Sequence, residues 1–180
     1  MKTRRSLPVD AEIQLLEITL EEVRPIFNTL VKERDYFSEW LPFVEYTKDL
    51  ADTEAFVQQV LQGDPNNLTC AIYYKNHFVG LVGLKDTDML NKKTEIGYWM
   101  SANYQKKGIM TRACKAMIAY AFEELGMNRI QLKAATGNIK SQQVAERLGF
   151  KREGIEREGE LHSRGFLDLV VFGLLRSEWS

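Results

Sequence analysis

A short polar stretch carries the residues best suited to holding an anion. Gln105, Lys106, Lys107 and Gly108 lie between TEIGYWM, which has strand character, and TRACKAMIAYAFEEL, which has helix character. The first N–H groups of a helix lack intrahelical partners and lie at the positive end of its dipole, so such a loop can hold a phosphate. Glycine allows close approach to the backbone, and the lysines and Arg112 add positive charge. A solvated charged loop is the alternative for these residues taken alone.

Two familiar phosphate-binding motifs do not occur in this sequence. The 180 residues contain no GxxxxGK[ST] and no GxGxxG between a strand and a helix. Nucleoside triphosphatases and dinucleotide-binding proteins depend on those motifs, so both classes are disfavoured. We therefore predict that the loop holds the pyrophosphate of another ligand.

Length and composition predict one domain spanning residues 1–180. The chain is 44% hydrophobic and 27% charged, which is typical of a globular protein with a single core. A net charge of -1 gives no overall positive field to hold nucleic acid or an anionic membrane. No segment approaches the roughly 20 apolar residues of a membrane helix, and no apolar signal segment follows the basic start. We expect a cytoplasmic protein.

The order of elements predicts an α+β fold with three layers. A strand at 13–18 and two helices precede a meander of three strands, LTCAIYY, FVGLVGLKD and KKTEIGYWM. A helix over 111–125, ended by Gly126, then leads to the strand RIQLKAA. Because that connection crosses over, the strands on either side of it should run parallel. The helix KSQQVAERL and two final strands complete a sheet of six to seven strands flanked by helices.

Two motifs in this order resemble the GNAT superfamily of acetyl-coenzyme A-dependent N-acetyltransferases, especially its RimJ/RimL-type branch. The superfamily's pyrophosphate loop, [Q/R]-x-x-G-x-[G/A], matches residues 105–110 except that Met110 replaces a small residue. The second motif, GNIKSQQVAERLGF, places Asn138 where the superfamily has an Asn that contacts the cofactor arm. The resemblance spans the whole chain. It implies a twisted, mostly antiparallel mixed sheet, splayed between the fourth and fifth strands to admit the pantetheine arm.

The same resemblance implies acetyl-coenzyme A as the cofactor, and we predict no metal. We expect the side chain of Met110 to pack inward against the sheet. The residues expected to bind the cofactor belong to the end of the fourth strand, the loop and the second motif: Met100, Gln105, Lys106, Lys107, Gly108, Ile109, Met110, Thr111, Arg112, Asn138 and Ser141.

Acetyl transfer to an amine needs a neutral amine, a stabilised oxyanion and a proton for the departing thiolate. A backbone N–H near Met100 would meet the oxyanion. The tyrosine that many superfamily members use as the acid falls on Ala145, so Ser141 is the candidate, as in RimL-type enzymes. Its alternative role is to cap a helix. Glu160 matches the Glu that serves as the general base in that branch, and Glu95 is the other candidate for this role. For each of them the alternative is a solvent-exposed charge without a catalytic role.

The segment YFSEWLPFVEY supplies the predicted acceptor wall, which comprises Tyr36, Trp40, Phe43 and Tyr46. Aromatic residues are more often part of a core, which is the alternative here. We expect the acceptor to be the α-amine of a protein N-terminus, such as that of a ribosomal protein.

Two other functions stay open at this point. One is acetylation of a small amine, a polyamine or an antibiotic, and the other is a non-catalytic regulator that binds acyl-coenzyme A. A polyamine site should bring several acids together, and the candidates in this segment are Glu33, Asp35, Glu39 and Glu45. We predict no nucleic-acid or membrane partner, and a homodimer is left open.

Overall fold

An open sheet forms the middle layer of the protein, which a computed structural model describes over residues 4–180. Its eight strands are β1 (Ser6–Pro8), β2 (Ile13–Glu17), β3 (Thr69–Tyr74), β4 (His77–Asp88), β5 (Lys93–Met100), β6 (Arg129–Ala135), β7 (Lys151–His162) and β8 (Gly165–Leu175). The α-helices in the described chain are α1 (Val23–Lys32), α2 (Arg34–Ser38), α3 (Leu50–Gln62), α4 (Ile109–Ala119) and α5 (Ile139–Arg147).

The strand order is β1-β2-β3-β4-β5-β6-β8-β7, and every neighbouring pair is antiparallel except β5 and β6. This confirms the mostly antiparallel mixed sheet and the parallel crossover. The predicted six to seven strands were too few, because β1 was not foreseen. β1 has only three residues, ends in Pro8 and gains its strand character from pairing Leu7 with Leu15 of β2. Such a short segment has no alternation of its own to detect.

The strands β5 and β6 part after a short paired region. Pairing covers three positions, from Lys93 with Arg129 to Glu95 with Gln131, and no pair is found from there to Met100. Meanwhile β5 stays paired with β4 as far as its end, where Met100 pairs with Gly80. The sheet therefore opens between β5 and β6, as the resemblance implied for the fourth and fifth predicted strands.

Helices cover both faces of the sheet. α4 and α5 pack on one face, where Ile109, Ala113 and Met117 of α4 form a buried stripe at helical spacing. α1, α2 and α3 cover the other face around a second core that includes Ile26 and Val57. The three-layer arrangement places the beginnings of α4 and α5 on the same side of the gap between β5 and β6.

The predicted helix over 111–125 is not α-helical throughout. α4 ends at Ala119, and Tyr120–Glu124 form a π-helical turn in which the Leu125 N–H donates to the Tyr120 carbonyl at 3.0 Å. Side-chain periodicity cannot distinguish one widened turn from continued α-helix. Gly126 follows with φ of +72°, in the left-handed conformation predicted for it.

In the part of the chain that the structure describes, no helix has the length and apolar character needed to cross a membrane.

Candidate active site

A cavity of about 990 Å³ lies where β5 and β6 part. Four parts of the chain contribute to its walls: α2 with the residues after it, the end of β5, the loop leading into α4, and the beginning of α5. Its lining residues include Tyr36, Glu39, Trp40, Tyr98, Met100, Gln105, Lys106, Gly108, Ile109, Met110, Thr111, Arg112, Gly137, Asn138, Lys140 and Ser141.

The loop before α4 has the backbone conformation of an anion cradle. Gly108 precedes the helix with φ of +68°, a left-handed conformation that glycine adopts without strain. The first helical hydrogen bond runs from the Arg112 N–H to the Gly108 carbonyl at 3.1 Å. The N–H groups of residues 109–111 precede that bond and belong to the unsatisfied first turn. The side chains of Ile109 and Met110 pack in the core, so their backbones are held firmly.

The cationic side chains of this segment differ in where they point. The Arg112 guanidinium donates to Asp10 Oδ2 at 2.7 Å, to Glu12 Oε2 at 3.2 Å and to the Lys107 carbonyl at 3.1 Å. It therefore ties the loop to the β1–β2 turn. Lys106 lines the cavity and is exposed, whereas Lys107 is exposed and lies outside the lining.

Gln105 joins two walls of the cavity. Its Nε2 donates to Tyr36 Oη at 2.5 Å, and its Oε1 accepts from Lys140 Nζ at 3.1 Å. Burial, followed by the nearby charges of Glu33 and Glu39, raises the pKa of Tyr36, so its phenol stays neutral near pH 7. The chain Tyr36–Gln105–Lys140 thus links α2, the loop and α5.

Glu33 fixes the other end of the same loop. Its carboxylate accepts from Ser101 Oγ at 2.6 Å, from the Ala102 N–H at 2.9 Å and from Asn103 Nδ2 at 2.7 Å. Ser101 is buried, and hydrogen bonds to a charged acceptor are stronger than neutral ones. Sequence reasoning offered Glu33 only as a polyamine ligand, whereas in the structure it binds the chain itself.

Replacing Glu33 with glutamine should loosen this loop. We expect coenzyme A affinity to fall about 3- to 10-fold, because an amide cannot accept all three hydrogen bonds and hydrogen bonds to charged groups contribute about 1.5–3 kcal/mol. Calorimetric titration with coenzyme A measures the effect. Glu45→Gln, an exposed acid of the same region, is the control. Unchanged affinity with a lower melting temperature would show that Glu33 contributes stability alone.

Ser141 lies in the first turn of α5, with its hydroxyl against Tyr98. The Ser141 N–H donates to Asn138 Oδ1 at 3.2 Å, so Asn138 caps the helix and the serine side chain does not. Ser141 Oγ is 3.0 Å from Tyr98 Oη. Tyr98 was not among the predicted site residues. Alternation along β5 indicated only that its side chain shares a face of the strand with Ile96, and not that it would reach a residue of α5.

The backbone of Met100 faces the gap. The next residue, Ser101, donates its N–H to the Val79 carbonyl of the β4 side at 2.8 Å. Successive N–H groups of a strand point to opposite edges, so the N–H of Met100 points away from β4, toward the open side. This is the orientation required of an oxyanion donor at the end of β5.

Trp40 and Tyr36, two of the four residues of the predicted acceptor wall, line the cavity. The Trp40 ring lies so close to Gly137 that a Cβ there would be 3.0 Å from Cη2 of the ring. Arg164, in the β7–β8 turn, places its guanidinium 5.7 Å from the centre of the Trp40 ring and donates to the Glu39 carbonyl at 2.7 Å. Trp40 therefore connects α2 to both the β6–α5 loop and the β7–β8 hairpin.

The two other predicted aromatic residues lie outside the cavity lining. Phe43 stacks on Phe56 with a centroid separation of 6.5 Å, and Tyr46 is 73% exposed. Arg34 helps to hold this segment, since its guanidinium donates to the carbonyls of Val44 and Thr47 at 2.7 and 2.6 Å.

Neither predicted base lines the cavity. Glu95, at the paired end of β5, binds Lys85 Nζ at 3.1 Å and accepts from Gln131 Nε2 at 3.1 Å. Glu160 on β7 places Oε1 2.6 Å from Nε2 of the buried His162. Among the lining residues of the described chain, Glu39 alone is acidic.

A helix beginning that can hold an anion, next to a gap between two strands, is the arrangement that the resemblance implies for a coenzyme A-dependent N-acetyltransferase. Comparison with known proteins agrees with this class. Residues 12–151 match the family model described as "Acetyltransferase (GNAT) domain". The chain belongs to the GNAT acetyltransferase family, and it is an acyltransferase with acetyl-coenzyme A as donor.

Relatives extend the match over nearly the whole chain. A Bacillus subtilis (strain 168) protein named "Putative ribosomal N-acetyltransferase YdaF" is 36% identical over 171 residues, which are 93% of this chain and 92% of the relative. The ribosomal-protein-serine acetyltransferase of Escherichia coli (strain K12) is 24% identical over 93% of this chain and 94% of its own length.

A solved structure supports the fold. The ribosomal L7/L12 alpha-N-protein acetyltransferase RimL, in complex with coenzyme A, superposes with a TM-score of 0.90. It is 21% identical, and the match covers 95% of this chain and 98% of that one. At this identity the likeness establishes the fold of the open sheet.

Proposed function

We propose that this enzyme acetylates the α-amine of a protein N-terminus, with a ribosomal protein as the acceptor. The observation that carries the proposal is that Glu39 is the one acidic residue of the described chain in the cavity lining, where it lies among Tyr36 and Trp40. One carboxylate can attract the one ammonium group of a peptide N-terminus, and the aromatic side chains beside it can contact the rest of the peptide end. The names of the two relatives above supply the ribosomal class of acceptor, and with it a cytoplasmic location.

The cradle before α4 would hold the pyrophosphate of acetyl-coenzyme A. The N–H groups of residues 109–111 and the conformation of Gly108 provide the contacts, and Lys106 adds charge at the cavity wall. Asn138 and Ser141, at the beginning of α5, line the same cavity, and the pantetheine arm would pass them into the gap between β5 and β6. The thioester would then end beside Met100.

The chain offers one group for each chemical requirement. The N–H of Met100 would stabilise the oxyanion, and Ser141 would give its proton to the thiolate. An N-terminal amine has a pKa of about 7.7–8.0, so a modest base acting through water suffices. Glu160 stays our candidate base, because the β7–β8 hairpin that carries it reaches the predicted acceptor wall through Arg164.

The structure disfavours a polyamine acceptor. Of the four acids that could have formed such a site, Glu33 is bound to Ser101 and its neighbours, and neither Asp35 nor Glu45 lines the cavity. A polycation would leave most of its charges without a carboxylate at this wall. The observation therefore favours an acceptor with one amine to present.

An acceptor panel tests the proposal by measuring release of free thiol from acetyl-coenzyme A. The panel contains a peptide with a free N-terminus and an internal lysine, the same peptide with a blocked N-terminus, spermidine and an aminoglycoside. We expect turnover with the free peptide to exceed every other acceptor at least tenfold. Equal rates with the blocked peptide would indicate lysine acetylation, and preference for spermidine or the aminoglycoside would contradict the proposal. Coenzyme A binding without turnover would indicate a regulator.

A further inference from the structure

A hydrogen bond between two residues of the cavity lining, Tyr98 and Ser141, has no role in the chemistry described above. Tyr98, on β5, places its hydroxyl 3.0 Å from Ser141 Oγ and 3.2 Å from the Ser141 carbonyl oxygen. The two residues are 43 positions apart in the chain, one on β5 and the other in the first turn of α5. Both line the cavity.

The phenol of Tyr98 keeps its proton at any working pH. Burial raises its pKa well above the ordinary range, and neither Ser141 nor Arg147 lowers it enough to reverse that direction. The phenol has one proton to donate, and both the Ser141 carbonyl oxygen and Ser141 Oγ lie within its reach. The serine hydroxyl can accept from it and still donate its own proton elsewhere.

We infer that Tyr98 is a positioning residue that holds the Ser141 hydroxyl so that its proton points at the departing thiolate. This inference rests on the proposed function, in which Ser141 supplies that proton. A serine hydroxyl on its own can turn its proton in several directions. When Tyr98 donates its proton to Ser141 Oγ rather than to the Ser141 carbonyl, the serine proton does not point at Tyr98 and is left for the thiolate. A neutral phenol also stabilises the negative charge that develops on Oγ as the proton leaves.

The proton balance closes without a net change at either residue. The acceptor nitrogen forms its bond to the acetyl carbon, the carbon–sulfur bond breaks, and the sulfur takes the Ser141 proton. The nitrogen, which carries one proton more than the product amide, releases it, and that proton returns through water to Ser141 Oγ. Tyr98 stays protonated throughout.

A double-mutant cycle tests the inference with wild type, Tyr98→Phe, Ser141→Ala and the double variant. Each is assayed with whichever acceptor of the panel gives the highest turnover, so the result does not depend on the acceptor proposal. We expect Tyr98→Phe to lower kcat about tenfold with the Kd for coenzyme A within about twofold, because phenylalanine keeps the ring. The double variant should be no slower than Ser141→Ala alone, since Tyr98 acts only through that hydroxyl.

Tyr120→Phe is the matched control. Tyr120 Oη accepts from Arg5 Nη1 at 2.7 Å, and the residue is outside the cavity lining. Its loss removes one tyrosine hydrogen bond and should leave kcat unchanged. Unchanged kcat in Tyr98→Phe, or losses that multiply in the double variant, would overturn the inference. Full turnover in Ser141→Ala would overturn both this inference and the serine's proposed role, while peptide preference in the panel would still stand.

Discussion

Replacing Gly108 with valine is expected to weaken coenzyme A binding by about 10- to 100-fold. Gly108 has φ of +68°, and a β-branched residue in that conformation costs about 1–2 kcal/mol of stability, so valine would favour a different shape of the loop. No other atom lies within 4 Å of the position that its Cβ would take. The open space lies at the cavity wall, so the added side chain would meet the bound phosphate. Calorimetric titration with coenzyme A measures the loss.

Gly126→Val provides the matched control for that prediction. Gly126 also has a left-handed φ, +72°, and open space around its Cβ position, but it lies outside the cavity lining. Both variants should lose similar thermal stability, because the backbone strain is the same. Only Gly108→Val should lose affinity. Equal affinity in the two variants would show that the loop before α4 does not hold the cofactor.

The elements that sequence reasoning placed well have strong local signals. The two β-rich runs around a short polar link in the β3–β4 hairpin and the helical spacing in α4 extend over enough residues to be distinctive. β1 and the π-helical turn at Tyr120–Glu124 lack such repetition, and both owe their form to packing against the rest of the chain. The opening of the sheet between two strands was predicted from the family resemblance alone, because the composition of neither strand indicates that they separate.

The candidate site divides in the same way. The loop around Gly108 could be predicted because its chemistry lies in consecutive residues between a strand and a helix. The contacts of Glu33 with Ser101 and of Tyr98 with Ser141 join residues 68 and 43 positions apart, so no local pattern contains them. Alternation placed Tyr98 and Trp99 on opposite faces of β5, yet both line the cavity, because parting from β6 exposes the edge between those faces.

Replacing Glu160 with glutamine is expected to lower kcat/KM by the 10²- to 10⁴-fold typical of losing a general base. Glutamine keeps the shape and the oxygen that faces His162 Nε2 at 2.6 Å, so the change removes basicity and little structure. The loss should shrink from pH 6 to 9.5, because an N-terminal amine with a pKa of about 7.7–8.0 loses its own proton over that range. Initial rates across this range, at subsaturating acceptor, measure the profile.

Two other carboxylates serve as comparisons in the same experiment. Glu95→Gln should change kcat/KM little at any pH, because its carboxylate is held by Lys85 and Gln131 at the closed end of the gap. Glu39→Gln should raise KM for the peptide more than it lowers kcat, since Glu39 lines the cavity with Tyr36 and Trp40 and would attract the ammonium before it reacts. If a carboxylate is the base, its glutamine variant should regain kcat/KM at alkaline pH. If a carboxylate only binds the acceptor, its variant should regain the wild-type rate at saturating acceptor concentration. A flat profile for Glu160→Gln beside a pH-restored loss in either of the other two variants would move the base to that residue.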